Sequence, residues 1–400
     1  MRLCIVGPSK RFFSGITTHT IFLANALAKR HQVSVILLRH LLPRSLFPGR
    51  QHVGKDQYSI DFAPGIELYN GMDYNSPWSW LGAYRFLREH RPEVIIMLWW
   101  SSSVAHMQIF LKLVNRWGSR AKMVLEMHEV VDPLEESILP IRLYSRLTGR
   151  LLVRGLDAYT TQSQSHKTQL AKVYHIDQDM ISVVPVGLYE DYRQPIGSAL
   201  SKEELGIGEK FVILYFGLIR HYKGVPCLVK AFNLLPQSIA ARSRLLIVGE
   251  IWEEEKMLRR LINASPYKSQ ITLIAQYVPD VMIPKYFSAA DVVALPYLRA
   301  SGSGVAHIAM PYGKPIITSN VSPLREALKD YQGGLFFPPA DHLALRDRLL
   351  QVWEALDSQG ETCYYPPPQR TWDDVARQYE GIIDSLVSEK GAGSQVVDTK

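Results

Sequence analysis

The sequence predicts an α/β protein of two facing Rossmann-like domains with a cleft between them, and three observations carry that prediction. Apolar runs of strand length alternate with helix-length amphipathic segments, the pattern of a parallel sheet wrapped by helices. The alternation occurs twice, with a break after Pro185. At 400 residues the chain also exceeds the size at which one hydrophobic core stops growing, so two domains are expected.

The first series reads as strand Leu3 to Val6, helix Thr18 to Arg30, strand Val33 to Leu38, then strands Val94 to Leu98 and Met123 to Met127. The second has strands Val212 to Phe216, Leu245 to Val248, Ile271 to Ile274, Val292 to Leu295 and Pro315 to Thr318. Helices Leu228 to Leu235 and Glu253 to Asn263 lie between them. Gly187 to Glu203, with Pro195, Gly197 and Ser198, has the turn chemistry of a linker. Three consecutive prolines, Pro366 to Pro368, interrupt the chain before a final helix, Trp372 to Val387, for which Thr371 is the expected N-cap. The expected domains are 1–188 with helix 371–388 packed back on it, and 195–370, with 389–400 as a frayed tail.

Composition excludes several classes. With 47% hydrophobic and 21% charged residues the chain is neither disordered nor collagen-like. Cys4, Cys227 and Cys363 form no C-x-x-C pair, so a zinc knuckle or redox motif is not expected. The start lacks the apolar stretch and cleavage site of a secretion signal, which gives a cytoplasmic expectation. The net charge of +7 lies wholly in residues 1–190, with 22 basic and 15 acidic side chains, because 191–400 carry 23 of each. An anionic partner of the first half or a merely solvated basic surface would both account for it.

In the second half, FVILYFGLIRHYKG ends a buried strand at Gly217 and presents Arg220 and Lys223 from the following loop. Open α/β sheets bind ligands outside the carboxyl ends of their strands, where two cations suit a phosphate; two solvated loop cations are the other reading. Ser301, Gly302, Ser303 and Gly304 fall where a helix begins after strand Val292 to Leu295. Small residues there admit a phosphate to backbone N–H groups, or simply make a capped loop. The run is not a dinucleotide fingerprint, since His307 stands where the third glycine belongs and the next strand ends at Asn320.

In the first half, Gly15 follows the first strand, where turn sterics alone would account for a glycine. His128 follows strand Met123 to Met127 at a carboxyl end, where it could donate to a polar substrate. Arg142, Arg146, Arg150 and Arg154 recur every four residues and stay on one helix face. A bilayer or phosphorylated acceptor would relieve their repulsion, and a solvated face is the plainer reading. The loop around Arg44, Phe47, Arg50 and Lys55 is a second basic-apolar patch.

Taken together these pieces resemble the family 4 glycosyltransferases over nearly the whole chain. The carrying residues are SGITTH from Ser14, MHE around His128, DAYTTQS from Asp157, VVPVG to Gly187, FGLIRHYKG, LLIVG, and AADVVALPY through AMPYGKPII. The resemblance implies transfer of sugar from a UDP- or GDP-sugar to a glycan or lipid-linked acceptor of the cell envelope, with retention and with no metal or other cofactor. By resemblance, His128, Arg220 and Lys223 are catalytic: the two cations neutralise the leaving diphosphate, whose distal phosphate Ser301 to Gly304 cradle, and His128 lies near the transferred sugar. Gly15 and Gly217 border the donor, and the backbone at Tyr277 and Val278 faces the base. No nucleic-acid partner is implied, and the arginine stripe is assigned to an acceptor or to peripheral contact with an anionic membrane.

Two departures stand out. The family's paired glutamates would fall at Ala300 and Ile308, and the arginine usually directly after the strand-ending glycine arrives only at Arg220. A catalytically inactive nucleotide-sugar binder and a nucleotide-sugar epimerase of the same fold are therefore the alternatives. A nicotinamide dehydrogenase is disfavoured by the incomplete glycine fingerprint.

Overall fold

The computed structural model describes residues 1–11, 15–40, 60–130, 139–194, 196–208, 210–359 and 364–392. Ser14, Pro195, Cys363 and the Arg44–Lys55 patch lie outside them, as do residues 393–400. The chain divides into two compact units, Met1–Gly187 with Arg370–Lys400, and Leu188–Gln369.

The first unit runs β1 (Arg2–Pro8), α1 (Gly15–Ala28), β2 (Gln32–His40), β3 (Glu67–Asp73), α2 (Pro77–His90), β4 (Val94–Trp99) and α3 (Ala105–Trp117). It continues with β5 (Lys122–Met127), α4 (Leu139–Val153), β6 (Ala158–Thr161), α5 (Gln164–Tyr174) and β7 (Ile181–Val183). The second unit contains α6 (Ser198–Glu204), β8 (Phe211–Phe216), α7 (Val225–Asn233), α8 (Gln237–Ala241), β9 (Ser243–Val248), α9 (Glu255–Asn263) and β10 (Ile271–Ile274). Its remainder is α10 (Ile283–Ala289), β11 (Val292–Leu295), α11 (Gly304–Ala309), β12 (Ile316–Ser319), α12 (Ser322–Ala327), β13 (Gly334–Phe337) and α13 (His342–Gln359). The chain then returns to the first unit as α14 (Trp372–Ala392).

Both sheets are parallel, in the orders β3-β2-β1-β4-β5-β6-β7 and β10-β9-β8-β11-β12-β13. In each, the order reverses beside the first strand, β1 or β8, so the loops at those carboxyl ends diverge and leave room for a ligand. The central strands are apolar without alternation because helices cover both faces.

The period-2 geometry of the strands decides what each face receives. Met123, Leu125 and Met127 of β5 point into the core shared with Leu87 of α2, Met107 and Leu111 of α3, and Leu152 of α4. Glu126 therefore points to the opposite face, where α1 packs against α14. α14 begins as expected, since the Thr371 hydroxyl accepts from the Asp374 N–H at 3.2 Å and Asp374 Oδ2 accepts from the Thr371 N–H at 2.8 Å. It runs to Ala392, so the expected frayed tail starts too early. The sequence reading also overlooked β3, β6, β7 and β13, whose polar or short segments carry little hydrophobic pattern.

Candidate active site

In the second unit, three loops at strand carboxyl ends are tied together. Gly217, directly after β8, has φ 112, a conformation that favours glycine. Gly224, with φ 66, closes the turn carrying Arg220 and Lys223, and a Cβ there would lie 1.9 Å from the Pro296 carbonyl oxygen. That contact brings the turn against the segment after β11, where the Leu298 N–H donates to the Tyr222 carbonyl at 2.7 Å.

Lys223 Nζ sits 3.7 Å from the centroid of the Tyr297 ring, and the Tyr297 hydroxyl lies 3.1 Å from Ser303 Oγ. The lysine and the serine-glycine loop are thus joined through one buried tyrosine. Ser303 is the N-cap of α11 and accepts from the Ala306 N–H at 3.4 Å. Ser301 and Gly302 precede it, half-buried. His307 Nδ1 donates to the Ser303 carbonyl at 2.8 Å and fixes the first turn of the helix.

Arg220 is held differently. Its Nε lies 2.9 Å from Glu253 Oε1, and its guanidinium is 5.4 Å from the centroid of the Trp252 ring. Burial works against the Glu253 charge, but the His221 N–H and the Arg220 guanidinium outweigh it and hold that carboxyl below its usual range. Arg299, which the sequence reading did not single out, joins this group. Arg220, Lys223 and Arg299 place their charges 5.7, 5.2 and 5.3 Å from the centroid of the Tyr222 ring. Three cations are thus gathered around one loop, with Glu253 paired to Arg220.

Tyr277 and Val278 follow β10. The Tyr277 hydroxyl reaches Asp280 Oδ1 at 3.4 Å, Asp280 Oδ2 accepts from the Tyr192 hydroxyl at 2.8 Å, and Val278 is buried. Ile308 lies buried inside α11 and Ala300 is half-buried, so neither position offers a carboxylate.

In the first unit, His128 stands at the carboxyl end of β5 but turns inward, with 6% exposure. Gln162 Nε2 donates to its Nδ1 at 2.7 Å, which leaves the proton on Nε2. That nitrogen faces Glu126 Oε1 at 3.3 Å, and His19 Nε2 approaches the same oxygen at 2.7 Å. The Nε2 edge expected to face a substrate is therefore turned toward Glu126, without a hydrogen bond to it. Burial pushes the His128 pKa down to about 3, so the ring is neutral at neutral pH. Burial acts to raise the Glu126 pKa, yet the facing His19 and His128 rings outweigh it and hold it at about 2. α14 seals the group. Trp372 packs edge-on to His19 at 5.0 Å between centroids, and the Tyr379 hydroxyl lies 3.0 Å from Thr160 Oγ1.

Among the described residues, His19, Glu126 and His128 are the group whose potential metal-ligand atoms all lie within 4.8 Å of one another. A carboxylate shared by two imidazoles at hydrogen-bond distance accounts for this arrangement. Sequence reasoning missed His19, although it ends the quoted SGITTH, and Glu126, which directly precedes the quoted MHE. The available signal was a charged residue inside the buried strand MVLEM.

Gly15 opens α1 without a positive φ, and a Cβ there would meet nothing within 4 Å, so turn sterics do not require glycine at this position. Arg142, Arg146 and Arg150 lie on α4 and Arg154 directly follows it. Beside them Leu139, Leu143, Leu147 and Leu151 are 73%, 66%, 58% and 49% exposed, a leucine stripe facing outward. Among the described residues no helix is long and apolar enough to cross a membrane.

Two parallel sheets, the second with a cation-bearing and a serine-glycine loop at its carboxyl end, define the class of two-domain glycosyltransferases. The chain matches the family model "Glycosyltransferase Family 4" over residues 13–191 and "Glycosyl transferases group 1" over residues 198–359, and it belongs to this family. It is 28% identical over 319 residues to the D-inositol 3-phosphate glycosyltransferase of Xylanimonas cellulosilytica, covering 72% of this chain and 74% of that protein. The enzyme of the same name from Pseudarthrobacter chlorophenolicus is 28% identical over 255 residues, and there the match covers 61% of this chain and only 58% of the relative. O-antigen chain mannosyltransferase B of Escherichia coli is 26% identical over 194 residues, 48% of this chain and 50% of that protein. The fold is that of the sucrose-phosphate synthase of Thermosynechococcus elongatus, with TM-score 0.71 and 15% identity over 97% of this chain and 99% of that one. Anabaena HepE, solved with UDP-glucose, gives TM-score 0.66 and 16% identity over 98% and 100%.

Proposed function

We propose that the protein transfers a sugar from a UDP- or GDP-sugar to a glycan or lipid-linked acceptor in the cytoplasm, with retention and without a catalytic metal. The observation that carries this reading is the Lys223–Tyr297–Ser303 connection, which joins a cation to the serine-glycine loop, with Arg220 and Arg299 beside it. Breaking the bond between the anomeric carbon and the diphosphate oxygen puts negative charge on the departing phosphate. Cations and amides fixed in advance stabilise that charge more in the transition state than in the bound donor. Arg220 would exchange Glu253 for phosphate oxygens when the donor enters. His128, Glu126 and His19 form the rigid floor beneath the carboxyl end of β5.

Peripheral contact with an anionic membrane belongs to the same proposal. Four outward leucines on α4, beside three arginines of that helix and Arg154 directly after it, suit a bilayer surface, where apolar burial and charge attraction act together.

The second reading, a nucleotide-sugar binder without transfer, is favoured by Ala300 and Ile308, which leave the donor loop without carboxylates. Incubation with a panel of nucleotide sugars and acceptor extract separates the readings. Acceptor-dependent release of the nucleoside diphosphate supports transfer. Saturable donor binding with no release supports the binder, and interconversion of the donor sugar without an acceptor indicates an epimerase. Absence of both binding and release overturns all three.

A further inference from the structure

The first unit holds a cavity of about 760 Å³ at the amino ends of β1, β4 and β5, the opposite strand ends from His128. Its volume falls within the range of sites that hold small ligands, roughly 300–1,000 Å³. Arg2, Arg88, Arg91, Arg120 and Lys122 line it, with Trp117 among the lining residues, 83% exposed.

Two of these arginines stand where the chain does not favour a side chain. Arg91 ends α2 at φ 43, and Arg120 follows α3 at φ 49, both in the left-handed region. Each carries backbone strain, and the structure accepts it twice around a single cavity.

Helix carboxyl ends attract cations, so the basic residues need weighing against that ordinary role. α2 and α3 contribute about half a negative charge each. Glu93 lines the cavity and accepts from the Arg2 N–H at 2.8 Å, while Asp157 pairs with Lys122 at 2.9 Å. Among the lining residues named for the cavity, five are basic and one, Glu93, is acidic, an imbalance larger than two helix ends account for. Arg88 also lies 5.9 Å from the centroid of the Tyr84 ring, which keeps its head at the cavity wall.

We infer that this cavity is a binding site for a phosphate- or diphosphate-bearing ligand. The guanidinium groups of Arg91 and Arg120 grip the phosphate oxygens in forked pairs, and the Trp117 indole covers a planar or apolar part of the same molecule. A dissolved phosphate compound and the head group of an anionic phospholipid share this chemistry. The inference does not depend on the donor reading, because it rests on other residues of the other unit.

The test uses the full chain carrying Arg220→Ala and Lys223→Ala, so that the donor loop cannot supply the signal. Inorganic pyrophosphate is titrated against tryptophan fluorescence, with Trp117→Phe identifying the responding indole. Separately, the protein is sedimented with phosphatidylcholine vesicles with and without phosphatidylglycerol. A saturable change lost in Trp117→Phe and weakened at least tenfold by Arg91→Gln with Arg120→Gln supports a dissolved phosphate ligand. Sedimentation that requires phosphatidylglycerol and falls at least tenfold in the same double variant, whose α4 is untouched, supports a head group. No saturable response to either probe, or responses that the double variant leaves unchanged, overturns the site.

Discussion

The Glu126 carboxylate lies 2.7 Å from His19 Nε2 in a site where both side chains are at most 5% exposed. A charge so placed is stable only with its partners, since the neighbouring histidines hold the buried Glu126 carboxyl well below its ordinary range. Glu126→Gln keeps the size of the side chain and removes the charge. It is expected to lower the stability of the first unit by about 3–5 kcal/mol, read as a reduced denaturation midpoint. An unchanged midpoint would remove the pair from the account of what holds α1, β5 and α14 together.

The same cluster sets an acid sensitivity. The folded His128 pKa of about 3 lies below its ordinary 6.5, so between those values the unfolded chain binds a proton that the folded chain refuses. Glu126, at about 2 against 4.5, acts in the same direction over the lower part of the range. Both contributions are fully present above pH 6.5 and are lost as the pH falls toward 2. The melting temperature should therefore drop steadily below pH 6.5. His128→Asn should melt lower at pH 7 and show a flatter slope between pH 6.5 and 4.5, where Glu126 contributes little.

Gly224 tests the phosphate turn through its backbone. An alanine there takes on a left-handed penalty of about 1–2 kcal/mol and meets the Pro296 carbonyl. Gly224→Ala is expected to destabilise the second unit by more than that penalty and to weaken nucleotide-sugar binding. Gly15→Ala, with open space around it, should leave stability within about 0.5 kcal/mol. Calorimetry of the two variants side by side makes the comparison.

Replacing Arg220 and Lys223 together by alanine removes two charge-assisted contacts, each of about 1.5–3 kcal/mol when a phosphate is held. Donor affinity should fall by at least a hundredfold in calorimetric titration, while circular dichroism stays that of the parent. Retained affinity would place the phosphate site elsewhere.

The outward leucines of α4 give a separable outcome. Leu143→Glu with Leu147→Glu substitutes charge where each leucine offers about 1.5–3 kcal/mol of apolar burial. Sedimentation with anionic vesicles should be lost without a change in melting temperature, since both side chains already face solvent. A melting temperature that fell instead would show the stripe to be part of the protein's own packing.

The sequence by itself determined the parallel α/β architecture, because strands covered on both faces must be apolar throughout and leave a pattern that local reading recovers. It also determined where the loops bearing Arg220, Lys223 and Ser301 to Gly304 fall, since turn residues mark strand ends. Short or polar strands such as β3 and β7 were not legible, for their pairing is decided by neighbours distant in sequence. Only the tertiary structure decided that Lys223 reaches Ser303 through Tyr297, that Arg299 joins the cations, and that Glu126 turns toward α1 and α14 while its neighbours in β5 turn away. It decided too that His128 points inward and that the leucines beside the arginine stripe point outward. The physical reason is common to all of these: a strand or helix fixes the spacing of its side chains, but which surface each one meets depends on the elements packed against it.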